Sequence, residues 1–204
     1  VLAAVAQPAN GTDPQTGRLD KYVDPIAHGH NYELSLRDCL AIITLDKSVT
    51  GAYTTARLTQ ITSEYIAKAA NLAIIQEHNL GMRHMVQELI LTPDDASFSE
   101  VPNSLGDYGS WISSRRPRGT YRWDLSTKFG NGAFSGGVIG LAWVRTLGST
   151  SPVNVCAKGY GVALEAHEQG HNLGSDHSSG GIMNSSLVDS RTFFTDVAAG
   201  ETSA

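Results

Sequence analysis

His167-Glu168-Gln169-Gly170-His171-Asn172-Leu173-Gly174-Ser175-Asp176-His177 is the stretch on which the reading of this chain turns. Histidines at i and i+4 lie on one helical face about one turn apart, so His167 and His171 can aim imidazole nitrogens at one ion. Glu168, next to His167, is offset enough to miss that ion and reach a water beside it. Gly174 can take the left-handed conformation that stops a helix, and the returning chain then brings His177 in as a third nitrogen donor. Three neutral ligands with a fourth position open are the arrangement of a hydrolytic zinc site rather than a closed structural one. The apolar Val162, Ala163, Leu164 and Ala166 just before the motif predict a buried helix start, so the ligands would stand on a rigid element.

Working back toward the N-terminus, Cys39–Leu45 is a continuous apolar run of strand length, as expected of a strand covered on both faces. Leu58, Ile61, Tyr65, Ala69, Leu72 and Ile75 recur at three- and four-residue steps and predict a long amphipathic helix ending near Asn79 and Gly81. Met82–Leu91 reads as a second strand, so strand, helix and strand form a βαβ unit and imply a parallel, helix-covered sheet. A short helix is expected around Leu105–Ile112, a third strand at Thr120–Leu125, a glycine-rich loop at Gly130–Gly137, a fourth strand at Val138–Val144 and a fifth starting in Pro152–Cys156. The expected fold is α/β: a mixed, mostly parallel five-stranded sheet with an antiparallel edge strand, long helices, a zinc-bearing helix and a small C-terminal subdomain after Gly174. Residues 1–35 carry Pro8, Pro14 and Pro25 with little periodicity and read as an extension or linker remnant ahead of a catalytic domain at 36–204.

Composition narrows the function. The 204 residues carry 15 Lys+Arg against 20 Asp+Glu, a net charge of −5, so no basic field exists to hold nucleic acid. Val1–Ala6 is apolar but too short for a membrane span, and without a basic start it is not an intact signal peptide. Asn10-Gly11-Thr12 and Asn184-Ser185-Ser186 match the N-glycosylation pattern. Cys39 and Cys156 leave both a single bridge and two free thiols open. Asp94-Asp95 could take part in a calcium site, although loop acidic pairs are usually solvated; the pair His28 and His30 near Asp24 reads as solvated surface, and His78 and His84 as structural. The glycine-rich loop lacks the spacing and lysine of a phosphate cradle.

The eleven-residue motif, with Met183 six residues beyond His177 in Gly180-Gly181-Ile182-Met183-Asn184, resembles the metzincin zinc endopeptidases and their methionine turn. His-Glu-x-Gly-His-Asn-Leu-Gly looks like the adamalysin or reprolysin branch. Gly137-Val138-Ile139-Gly140-Leu141-Ala142-Trp143-Val144 and Asn154-Val155-Cys156-Ala157-Lys158 are similar to segments of Kuzbanian-type disintegrin-metalloproteinases. The resemblance implies a zinc-dependent endopeptidase acting on internal bonds of protein or peptide substrates, with one catalytic Zn2+ on His167, His171 and His177 and Glu168 as general base. It also implies structural roles for Gly174 and Met183, and substrate contacts from Gly140, Leu141, Ala142, Asn184, Ser185 and Ser186. An extracellular or secreted location, or the ectodomain of a larger membrane-anchored protein, follows from the same resemblance.

The sequence departs from that pattern in places. Ser178 stands where reprolysins usually have an aspartate, the His177-to-Met183 spacing is short, Val197 stands where a cysteine is common, and no tyrosine follows the methionine to act as a fifth ligand. A rival expectation is therefore a protease-like domain that binds partners through its edge strand without turnover.

Overall fold

A computed structural model describes residues 37–131, 134–186 and 193–195. The expected extension at 1–35, with the His28/His30 pair and the Asn10 sequon, lies outside the described residues, as does Val197.

β1 (Arg37–Leu45) leads through the single-turn α1 (Lys47–Thr50) into α2 (Thr55–Leu80), which returns the chain to β2 (Met82–Leu91) parallel to β1. Thr54 caps α2 by accepting the Arg57 N–H, and Gly81 ends it in the left-handed region, as a glycine beyond a helix should. α3 (Leu105–Arg115) follows, then β3 (Leu125–Gly130), β4 (Gly140–Ala142), β5 (Val153–Ala157) and α4 (Val162–Leu173). The sheet runs β2-β1-β3-β5-β4, parallel throughout except for β4, which pairs antiparallel with β5 at the edge. This is the mixed sheet with an antiparallel edge strand that the sequence implied. Beyond Gly174 the described residues carry neither helix nor strand and form the small C-terminal part.

Alternation along the strands divides the core. Ile42, Val153 and Val155 face α3, packing with Leu105, Tyr108, Ile112 and Trp123. Ile43, Leu45, Phe129 and Cys156 face the other way, against Ile61 and Tyr65 of α2 and Leu164 of α4. A third cluster joins Leu72 and Ile75 of α2, Ala166 of α4, and Ile182, Met183 and Phe194. The zinc-motif helix is thus wedged between α2, the sheet and the C-terminal turn.

The third strand, the start of the glycine-rich loop and the fourth strand need correction, and the state of the two cysteines, left open by the sequence, is settled. The third strand is Leu125–Gly130, not Thr120–Leu125: the aromatic alternation at Tyr121 and Trp123 belongs to a connection in which Trp123 is buried against α3 and donates its indole N–H to the Arg116 carbonyl. Gly130 therefore ends a strand rather than opening a loop, and a Cβ there would collide with the Asp46 carboxylate. The fourth strand shrinks from Val138–Val144 to Gly140–Ala142, because the chain after Trp143 turns away to the C-terminal end of α4. Cys39 and Cys156 are both buried free thiols; β1 and β5 are separated by β3, about 10 Å across two strand spacings, which is out of bridging range.

Candidate metal centre

α4 carries His167, Glu168 and His171 on nearly fully buried backbone, and Gly174 closes it with φ 116°, its N–H returning to the Gly170 and His171 carbonyls. That left-handed residue sends the chain back so that His177 meets the other two rings. Ring centroids lie 4.8 Å (His167–His171), 5.2 Å (His167–His177) and 4.8 Å (His171–His177) apart. One nitrogen from each ring falls within 4.8 Å of the others, and His167 and His177 approach Nε2 to Nε2 at 3.2 Å.

Whether zinc fits depends on where the lone pairs point. His167 Nδ1 lies 2.7 Å from the Ile182 carbonyl and His171 Nδ1 lies 2.7 Å from the Ser175 carbonyl. A carbonyl only accepts, so each Nδ1 carries the proton and each Nε2 is left with a bare lone pair facing the centre. Burial pushes His167 down to about 4, with some help from the other two rings, and lowers His171 as well, so both are neutral at pH 7. The 3.2 Å between His167 Nε2 and His177 Nε2 matches the roughly 3.3 Å edge of a tetrahedron with Zn–N near 2.0 Å. The donor set fits zinc, and the backbone carbonyls of Ile182 and Ser175 supply the outer hydrogen bonds that such ligands require.

Glu168 is 4% exposed, and burial raises its carboxyl to about 8. It packs directly on Gly140 of β4, the edge strand expected to meet substrate. Gly140, Leu141 and Ala142 pair with Cys156, Val155 and Asn154. Asn184, Ser185 and Ser186 follow the methionine turn, with Ser185 and Ser186 exposed and the Asn184 side chain accepting the Ser186 N–H at 2.8 Å. Met183 is fully buried beneath the helix, against Gly170, where any Cβ would strike its sulfur. Ser178 donates its N–H to the Met183 carbonyl at 2.9 Å and shares a hydroxyl contact with Thr195, so serine here ties the short loop to the turn and the C-terminal segment. Asp95 accepts from the Ser97 N–H and hydroxyl in a local turn.

Several site residues escaped sequence reasoning. Asn172 donates to the Trp143 and Val153 carbonyls and the Thr146 hydroxyl and accepts from Asn154 at 2.8 Å, while the Arg145, Thr146 and Leu147 N–H groups satisfy the terminal carbonyls of His171 and Asn172. Arg145 takes φ 57° to make this possible. On the other flank Gln76 of α2 donates to Gln169, which donates in turn to Thr127 and Glu165. Glu165 is buried and pushed up to about 8. Gln169 sits at a motif position that leaves side-chain identity free, and Asn172 belongs to the branch-like His-Glu-x-Gly-His-Asn-Leu-Gly run, but the partners of both lie far away in sequence and gave no signal.

No curated protein matches the chain. Among solved structures it is similar to a chain in "Structure of a chaperone-substrate complex", at 14% identity and a TM-score of 0.56, covering 78% of this chain and 29% of that one. That likeness concerns the fold alone, and the present chain spans less than a third of the other's length. Residues 35–192, which include the whole sheet, α4 and all three converging histidines, match the sequence profile of a single family. With most of its length under that profile and its imidazoles disposed for a metal, the chain belongs to the metallo-peptidase family M12.

Proposed function

We propose that this chain is a zinc-dependent endopeptidase of the Kuzbanian-type branch, with residues 36–204 as its catalytic domain and residues 1–35 as an extension. The observation that carries this reading is the convergence of the His167, His171 and His177 nitrogens, with Glu168 buried one residue after His167 on the same helix. Zinc bound there would supply Lewis-acid polarisation of the scissile carbonyl and acidify water to a pKa of about 7. With the positive charge of a bound zinc drawing it back to the ionised form, Glu168 would take the proton from the attacking water and return it to the leaving amine, as a general base and then acid. Its burial excludes competing solvent and keeps the proton within reach. The free side of β4 offers Gly140, Leu141 and Ala142 to an extended peptide by strand addition, and Asn184, Ser185 and Ser186, just beyond the methionine turn, are the second set proposed to touch substrate. The branch assignment is supported by the resemblance of the Gly137–Val144 segment, which contains this edge strand, and an extracellular or ectodomain location by the same resemblance.

The test is zinc stoichiometry together with cleavage of an unfolded protein substrate, with and without chelator, in the native chain and in Glu168→Ala. One bound zinc, chelator-sensitive cleavage and loss of cleavage in the variant are expected. A zinc-loaded chain that cleaves nothing would leave the partner-binding reading standing instead.

A further inference from the structure

Glu168 and Asn172 stand at i and i+4 on α4, so they share one face of the helix, and each directly follows a histidine of the metal centre. The edge strand β4 lies against that face. Its first residue, Gly140, packs on the Glu168 carboxylate, and the carbonyl of Trp143, just past its last residue, accepts from Asn172 Nδ2 at 2.8 Å. The strand is therefore fixed to the helix at both ends, by the proposed base at one and by Asn172 at the other.

Little else holds β4. It is 3 residues long, lies at the edge of the sheet and, among the described residues, pairs with β5 alone. Its leading end has a further tie, the Ala157 N–H donating to the Ile139 carbonyl at 2.8 Å. Its trailing end depends on Asn172, which is 0% exposed. Besides the Trp143 carbonyl, Asn172 Nδ2 faces the Thr146 hydroxyl and the Val153 carbonyl, each at 3.1 Å, and Oδ1 accepts from Asn154 at 2.8 Å. Val153 and Asn154 open β5, so one amide joins the metal-bearing helix, the edge strand and its neighbour. Aspartate here would turn a carboxylate on two carbonyls with no proton to give, and leucine would leave every one of these groups without its partner.

On the endopeptidase reading, on which this inference rests, substrate adds to the free side of β4, so the strand's placement over α4 becomes the peptide's placement over the metal. We propose that Asn172 is a positioning residue, which holds the trailing end of β4 in register with α4 so that a peptide added to the strand lies across the three histidines. Loosening that end disturbs peptide binding before chemistry, because Gly140 keeps its pairing with Cys156 and its packing on Glu168.

Steady-state cleavage of a peptide of about ten residues, long enough at about 3.3 Å per residue to cover β4, tests this in the zinc-loaded native chain, Asn172→Ala and Thr146→Val. KM should rise about tenfold in Asn172→Ala and about threefold in Thr146→Val, with kcat within about threefold of native and zinc affinity unchanged in chelator competition. A fall in zinc affinity that accounts for the lost activity, a loss confined to kcat, or an unchanged KM overturns the assignment. Thr146 is only half-buried, so its variant reads the same contact if Asn172→Ala does not fold. Binding of the same peptide to zinc-loaded Glu168→Ala, with and without Asn172→Ala, needs no turnover. Binding about tenfold weaker with the second substitution supports the role even if the native chain cleaves nothing, in which case the endopeptidase reading alone fails; equal binding overturns it.

Discussion

Gly140 and Glu168 are packed so closely that a Cβ on Gly140 would collide with the Glu168 carboxylate. The edge strand therefore positions the proposed base directly, and only glycine leaves the carboxylate where it lies. Gly140→Ala should displace Glu168 by a few tenths of an ångström or more while leaving the three imidazoles, which rest on α4 and the loop beyond it, in place. The expected result is unchanged zinc content with kcat/KM for peptide cleavage reduced by about 10- to 100-fold. Native turnover in this variant would mean that the carboxylate is not held by the strand.

Gly174 couples helix termination to the third imidazole. At φ 116° a side chain is strained whatever its surroundings, so Gly174→Ala should cost about 1–2 kcal/mol of stability and swing His177 off the centre. Thermal unfolding and zinc competition against a chelator measure the two effects separately. Zinc affinity about tenfold lower is expected, and an unaltered affinity would show that His177 reaches the centre without the left-handed turn.

How far the sequence could be read depended on whether each element's signal was local. α2 was legible because Ile61, Tyr65, Leu72 and Ile75 are a stripe written in one segment, and all four are buried. The metal centre was legible because its candidate ligands sit in eleven consecutive residues. β3 was missed because Ser126, Thr127 and Lys128 do not look like a central strand: each is buried only because a distant group pairs with it, Tyr108 with Ser126, Gln169 with Thr127 and Asp46 with Lys128. The length of β4 was overestimated for a related reason. Trp143 and Val144 continue its apolar run, but the backbone beyond them is claimed by the carbonyls of His171 and Asn172.

His84 makes stability depend on pH in a defined direction. Burial lowers it from 6.5 to about 4, while Tyr65 and Glu88 are the other titratable groups lining the cleft between α2 and β2 where it lies. Between those values the unfolded chain binds a proton that the folded chain does not, so stability rises with pH across this window and is lost as pH falls from about 6.5 toward 4. The full difference is about 3 kcal/mol. Urea unfolding at pH 7 and pH 4.5 should show a smaller loss in His84→Phe than in the native chain, and equal losses would exclude His84 as the source.

Lys128 and Asp46 form a buried ion pair at 3.5 Å in which the ammonium stands inside an oxygen cage. Lys128 Nζ donates to the Pro102 carbonyl at 2.9 Å, to Asn103 Oδ1 at 2.7 Å and to the Asn131 carbonyl at 2.9 Å, and so ties the loop before α3 to the end of β3. Asp46 in turn caps α1 by accepting the Ser48 N–H and also accepts the Asn131 N–H. Burial lowers the lysine's pKa while Asp46 opposes the shift. Lys128→Met removes the positive charge and leaves the carboxylate and three oxygens facing an apolar chain, which should cost about 3–5 kcal/mol. In that background Asp46→Asn removes the stranded charge but keeps an oxygen for the Ser48 cap, so the double variant should be more stable than Lys128→Met alone. Chemical denaturation of the native chain, both single variants and the double gives the coupling free energy directly. A Lys128→Met chain as stable as the native one would mean that the ammonium is solvated rather than caged.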